Sequence, residues 1–196
     1  MAVPKHPVVF TKPANALAGP LDDIHIHPEV QEQLDYEGEL TVVIGRDVKN
    51  VQANEALSYV LGYTCGNDFS ARDYQVPSTV SGGQYSYAKS FDQLAPIGPC
   101  ITSAALIPDP QVLSYVAMVN GEVRQKTSTA DMIHSVKQVI AHLSRGTTLR
   151  KCTCIMMGTP SGVGLWMSPP RFLKDGDVVE VDIEQIVAIR NIVVFD

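Results

Sequence analysis

Alternation of apolar and polar side chains runs along most of the chain and predicts a protein built mainly of strands. Period-two patterning or short apolar runs mark residues 8–11, 36–44, 115–119, 122–126, 155–157, 178–183 and 189–195, with a further strand-like stretch at 63–65. Asn120-Gly121 lies between two of these runs, and both residues tolerate the positive φ of a type I′ turn, so 115–126 reads as a hairpin. Helical spacing is confined to two segments. Over 131–144, Ile133, Val136, Val139, Ile140 and Leu143 share one face, with Thr129 as the expected N-cap and Gly146 as the stop. Over 54–61, Ala56, Leu57 and Val60 point inward, and Gly62 ends the helix. Gly82-Gly83, residues 96–99 and 108–110, and Pro169-Pro170 mark loops, and no internal repeat is visible. The expected fold class is mostly β (α+β), with few helices.

Composition narrows the setting. A chain of 196 residues with 45% hydrophobic content can bury a substantial core, and its length fits a single domain over residues 1–196. The formal net charge is -6 and the basic residues are scattered singly, which excludes the basic stripe of a nucleic-acid binder and favours a small-molecule partner. The opening MAVPKHPVVF lacks the apolar core of a signal peptide, and no run approaches the roughly 20 apolar residues that span a bilayer. The expectation is no membrane and a cytoplasmic location, with a mitochondrial one also compatible. That compartment keeps Cys65, Cys100, Cys152 and Cys154 reduced; Cys152 and Cys154 lack the second pair that a soft-metal site needs.

The densest chemistry lies in Asp35-Tyr36-Glu37-Gly38-Glu39-Leu40-Thr41-Val42-Val43-Ile44-Gly45. Alternation puts Leu40, Val42 and Ile44 on one face of a strand and Glu37, Glu39, Thr41 and Val43 on the other. The two glutamates then lie roughly 6.5–7 Å apart at Cβ, close enough for both to reach one cation. A hard dication needs several oxygens, and Asp68, at the end of the next strand-like run, is the best third carboxylate. The same pair also fits an ordinary solvated strand face. By residue type alone, Lys89 reads as a surface lysine and Thr159 as a turn hydroxyl.

Several motifs in order carry a resemblance that changes this weighing. They are Asp35-Tyr36-Glu37-Gly38-Glu39-Leu40, Gly62-Tyr63-Thr64, Asn67-Asp68-Phe69-Ser70-Ala71-Arg72-Asp73, Lys89-Ser90-Phe91-Asp92, Pro96-Ile97-Gly98-Pro99, Val119-Asn120-Gly121-Glu122, Gly158-Thr159-Pro160-Ser161-Gly162-Val163-Gly164 and Phe172-Leu173-Lys174-Asp175-Gly176-Asp177. Through them the chain, from Pro7 to about Val194, resembles the catalytic domain of the fumarylacetoacetate hydrolase family. The wording around Ser81-Gly82-Gly83-Gln84 and Ala141-His142-Leu143-Ser144-Arg145-Gly146 is most similar to fungal members.

The resemblance implies a rolled, mixed β-sheet, a homodimer, and one Mg²⁺ or Mn²⁺ per chain on Glu37, Glu39 and Asp68. It also implies a catalytic Lys89 beside the metal and a pocket of Arg72, Gln75 and Thr159 that binds substrate. The implied activity is hydrolytic C–C cleavage of an acylpyruvate- or fumarylacetoacetate-like 1,3-dicarbonyl. Decarboxylation or keto–enol tautomerisation of a 2-oxo acid such as oxaloacetate is the alternative, and a non-catalytic metal-binding paralogue is the third.

Three departures from the family pattern bear on that choice. No counterpart is recognisable of the lid segment whose His and Glu activate water in relatives, which leaves hydrolysis without its expected general base. His25 and His27 are the nearest candidates to replace it; as bland loop residues ahead of Pro28 they would do nothing catalytic. Arg150-Lys151-Cys152-Thr153 and Glu184-Gln185-Ile186-Val187-Ala188 replace stretches where relatives use turn glycines, and Val187 is the residue least suited to such a turn.

Overall fold

The computed structural model describes residues 3–196. In chain order its strands are β1 (Leu17–Ala18), β2 (Asp23–Ile26), β3 (Leu34–Asp35), β4 (Gly38–Ile44), β5 (Val60–Asn67), β6 (Ser70–Ala71), β7 (Ala95–Ser103), β8 (Ser114–Val119), β9 (Glu122–Ser128), β10 (Cys154–Met156), β11 (Val178–Ile183) and β12 (Ile186–Phe195). Two α-helices, α1 (Ser78–Ser81) and α2 (Val136–Leu143), and several 3₁₀ turns complete it. One sheet runs β1-β7-β5-β4-β10, a second β2-β12-β11-β8-β9, and β3 pairs with β6 alone. Two pairings are parallel, β1 with β7 and β2 with β12, and the rest are antiparallel, so the sheets are mixed and the protein is mostly β.

The main core lies between the sheets. Leu40, Val42 and Ile44 of β4 meet Tyr115 and Ala117 of β8 and Val181 and Ile183 of β11, all buried. A second cluster joins Ile24 and Ile26 of β2 to Tyr36, Phe69, Leu94 and Val193. Helix α2 covers one end of the main core with Val136, Val139 and Ile140. The β8–β9 turn takes φ 53° at Asn120 and 75° at Gly121, as the Asn-Gly pair requires.

Several elements differ from the sequence expectation. Residues 8–11 pair with no strand, and Val8 and Val9 are exposed. The helix expected over 131–144 begins at Val136: Ser135 caps it, with Gln138 completing a capping box. Thr129 is not its cap, because its buried hydroxyl is tied across to the backbone of Leu113. Residues 54–61 form a 3₁₀ turn, Ala56–Tyr59, and then enter β5, since pairing along β4 outweighs a short helical pattern. Gly62 therefore lies inside β5, where any Cβ would strike the Thr102 carbonyl of β7. Residues 96–99, expected as loop, belong to β7; its ladder with β5 shifts register between Tyr63 and Cys65, and such irregularity accommodates proline.

Candidate metal centre

The antiparallel register of β4 and β5 sets Gly38 opposite Asn67 and Glu39 opposite Gly66. Glu37 and Asp68 follow as immediate neighbours: the Asp68 N–H donates to the Glu37 carbonyl at 2.9 Å, and the Glu37 N–H donates to Asn67 Oδ1 at 2.9 Å. Glu39 lies on the same face of β4 as Glu37. One carboxylate oxygen from each of Glu37, Glu39 and Asp68 can be chosen so that all lie within 4.8 Å of one another. All three are buried, so the solvated-face reading of the paired glutamates fails.

Buried carboxylates need partners. Lys89 Nζ lies 2.9 Å from Glu37 Oε2, 2.7 Å from Asp68 Oδ2 and 2.5 Å from Ser70 Oγ. Arg72 reaches Glu37 Oε1 through Nη1 at 2.7 Å and Asp35 Oδ2 through Nε at 2.9 Å. Lys12 Nζ closes on Asp68 Oδ1 at 2.6 Å. Glu39 is different: its oxygen accepts the Gly158 N–H at 2.6 Å, and among the described residues no cation pairs with it. Burial, then the neighbouring Asp68 and Glu37 carboxylates, push its pKa well above the ordinary glutamate value. Burial pushes Lys89 down, but the pull of Glu37 and Asp68 outweighs it and the net shift is upward. At Lys12 burial outweighs the pull of Asp68, and the shift is downward.

Four buried carboxylates, counting Asp35, thus face three cations, and the uncompensated one is Glu39. That donor set, all oxygen and short of positive charge, fits a hard dication such as Mg²⁺ or Mn²⁺. Two further polar atoms, Thr41 Oγ1 and Arg72 Nη2, are buried without a partner.

Lys89, Arg72 and Gln75, which the family resemblance singled out, lie together beside the triad. Gln75 Oε1 accepts from Arg72 Nη1 at 2.6 Å, which makes Gln75 a brace for the guanidinium. Thr159, next to the Gly158 that donates to Glu39, is tied to the start of β4: its hydroxyl donates to the Gly38 carbonyl at 3.2 Å and accepts from Gln125 Nε2 at 2.7 Å. His25 and His27 make no contact with the triad. His25 Nδ1 lies 2.8 Å from Asp196, and His27 accepts the Glu29 N–H.

Two residues escaped the sequence reading. Lys12 is 56 positions from Asp68 and carries no local signal; the 10–12 segment reaches the centre because Phe10 lies 5.1 Å from Lys89 Nζ and edge-on to Tyr85. Asp35 accepts from Arg72 and from the N–H groups of Tyr36, Gly164 and Leu165, tying the glycine-rich 158–164 turn to the entrance of β4. Its place in the Asp35-to-Glu39 motif was the only available hint.

Known proteins resemble this chain over nearly its whole length. An uncharacterised protein of Archaeoglobus fulgidus is 47% identical over 97% of this chain and 70% of its own length. The oxaloacetate tautomerase YisK of Bacillus subtilis is 42% identical over 96% of this chain and 62% of its own. The chain therefore spans roughly two thirds of the length of such relatives. Among solved structures, the fumarylacetoacetate hydrolase of Exiguobacterium antarcticum superposes with a TM-score of 0.91 at 40% identity, covering 96% of this chain and 66% of that one. The family pattern described as fumarylacetoacetate (FAA) hydrolase C-terminal matches residues 1–194, and the chain belongs to the fumarylacetoacetate hydrolase family.

Proposed function

We propose that this chain is a catalytic domain that holds one Mg²⁺ or Mn²⁺ on Glu37, Glu39 and Asp68 and tautomerises a small 2-oxo dicarboxylic acid of the oxaloacetate type. The observation that carries this reading is the charge count of the centre. With a dication beside Glu39, four carboxylates and three protein cations leave one net positive charge in a buried site, which favours an anionic substrate. The unpartnered Nη2 of Arg72 is then a donor for a substrate carboxylate, with the guanidinium held in place by Asp35 and Gln75. Lys89 sets an ammonium against the oxygen that gains negative charge as a proton leaves carbon, and Lys12 adds a second from the opposite side of Asp68. A bound dication supplies Lewis-acid polarisation of the substrate oxygens. The name of the Bacillus relative supports the choice of substrate.

Hydrolytic C–C cleavage of a 1,3-dicarbonyl is the second reading, favoured by the likeness to the Exiguobacterium hydrolase. An assay on metal-stripped chain separates them, with Mn²⁺ or Mg²⁺ restored and both oxaloacetate and an acylpyruvate supplied. We expect accelerated loss of the oxaloacetate enol signal that Lys89→Ala reduces at least about tenfold. Acylpyruvate cleavage at a comparable rate would favour the hydrolase, and no acceleration of either reaction with metal bound would reject both. The homodimer belongs to the same proposal: Leu61, Ile101 and Val187 present exposed apolar side chains. Light scattering should report twice the 21.3 kDa chain mass, and a monomer at micromolar concentration would remove it.

A further inference from the structure

Away from the acidic triad, residues 5–7, the turn at 50–53, and helix α2 with the residues flanking it enclose a surface cleft of about 430 Å³. Its chemistry is one-sided. Lys5, His6, His134, His142 and Arg145 line it and no Asp or Glu does, in a chain whose formal net charge is -6. Among the described residues, neither Lys5 nor Arg145 has a carboxylate within ion-pair distance. His6 stacks on His142 with ring centroids 5.3 Å apart, which brings the N-terminal segment against the last turn of α2. His134 Nε2 is buried and has no hydrogen-bond partner.

Two of the three amides in the wall, Asn50 and Gln138, are oriented the same way. Asn50 Oδ1 accepts from the Gly146 N–H at 2.8 Å, and Gln138 Oε1 accepts from the Ser135 N–H at 2.8 Å. Both acceptor ends are consumed by the fold, so each amide keeps its NH₂ as a donor with no internal acceptor. A wall that offers two unpaired cations, two oriented amide donors and three imidazoles, and no carboxylate, is complementary to oxygen-rich anions. Its volume falls in the range of small-molecule sites.

We propose that this cleft is a second ligand site that binds a compact, multiply charged oxyanion, a phosphate group or a polycarboxylate, gripped by Arg145 and Lys5 and by the amides of Asn50 and Gln138. The site is independent of the metal centre, and so is its test. Calorimetric titration of the full chain, stripped of metal and then dialysed free of chelator, at fixed ionic strength, with inorganic phosphate in one arm and citrate in the other, should show saturable one-to-one binding in at least one arm. The tighter arm identifies the class. Arg145 and Lys5 are exposed, so Arg145→Gln and Lys5→Gln leave the fold intact, and each should weaken binding about tenfold. Histidine side-chain NMR locates the event independently, through a shift of the His134 resonances on saturation. Absence of saturable binding in both arms, an unchanged affinity in the Lys5→Gln/Arg145→Gln double variant, or a silent His134 would overturn the proposal.

Discussion

Strand β4 and the β8–β9 hairpin begin from the same alternating pattern and end in different environments. Along β8 buried positions alternate with exposed or half-buried ones, whereas every residue of β4 is buried. A strand with one wet face needs a partner only for its apolar side. A strand buried on both faces must compensate the polar groups on its second face and at its ends: at the entrance of β4, Glu37 pairs with Arg72 and Lys89 and the adjoining Asp68 with Lys12 and Lys89, while Glu39 within β4 has the Gly158 N–H. Stability at β4 thus depends on long-range charge pairing, and stability at the hairpin on local backbone geometry.

The contrast should be visible in mutants. The largest effect is expected at Asp35, which pairs with the buried Arg72. Asp35→Ala should cost about 3–5 kcal/mol in urea unfolding, the range for breaking a buried pair from one side. A loss under about 1 kcal/mol would mean that the carboxylates at the entrance of β4 do not rely on their ion pairs.

Next is Asp68→Ala, which removes one of three charged oxygen donors. Mn²⁺ titration should show one site per chain, with affinity reduced about 100-fold or more, close to 3 kcal/mol. Glu37→Ala and Glu39→Ala should follow, and an unchanged affinity in all three would discard the triad as a metal site.

A third test uses pH. Glu39 has a folded-state pKa raised above the ordinary glutamate value of 4.5, so the folded chain holds a proton that the unfolded chain has released. Stability of the metal-free chain should therefore fall as pH rises from that value toward the elevated one, and level off beyond it. Added Mn²⁺ should flatten or reverse the trend, because metal binds the deprotonated form. Melting temperatures across pH with EDTA or Mn²⁺ decide it; identical profiles would show that no buried carboxylate couples to the ion.

Smaller effects are expected away from β4. Gly121→Ala puts a Cβ at φ 75° in open space, so only the backbone preference is lost, about 1–2 kcal/mol. Gln185 already takes φ 65° between β11 and β12, and Gln185→Gly should gain at most about 1 kcal/mol. The strained turn position is Gln185 itself; Val187, which the sequence pointed to, lies within β12. A loss at Gly121→Ala larger than that at Asp35→Ala would undo the ordering of the two regions.

The sequence by itself determined what local spacing can encode. Two glutamates two residues apart on a strand must share a face, an Asn-Gly pair must turn, and alternating apolar residues must seek a core; these account for the triad's first two members, the β8–β9 hairpin and the mostly β class. Tertiary structure decided what depends on neighbours distant in the chain. Residues 8–11 have strand-like composition but no strand to pair with, while residues 95–103 contain prolines yet join β5 and β1. Thr129 looks like a helix cap and instead ties down Leu113, leaving Ser135 to begin α2. Lys12 reaches Asp68 across 56 positions, and Asp35 anchors the 158–164 turn across more than 120. No periodicity specifies such pairs, because the energy of a buried ion pair depends on what surrounds it, and folding alone creates those surroundings.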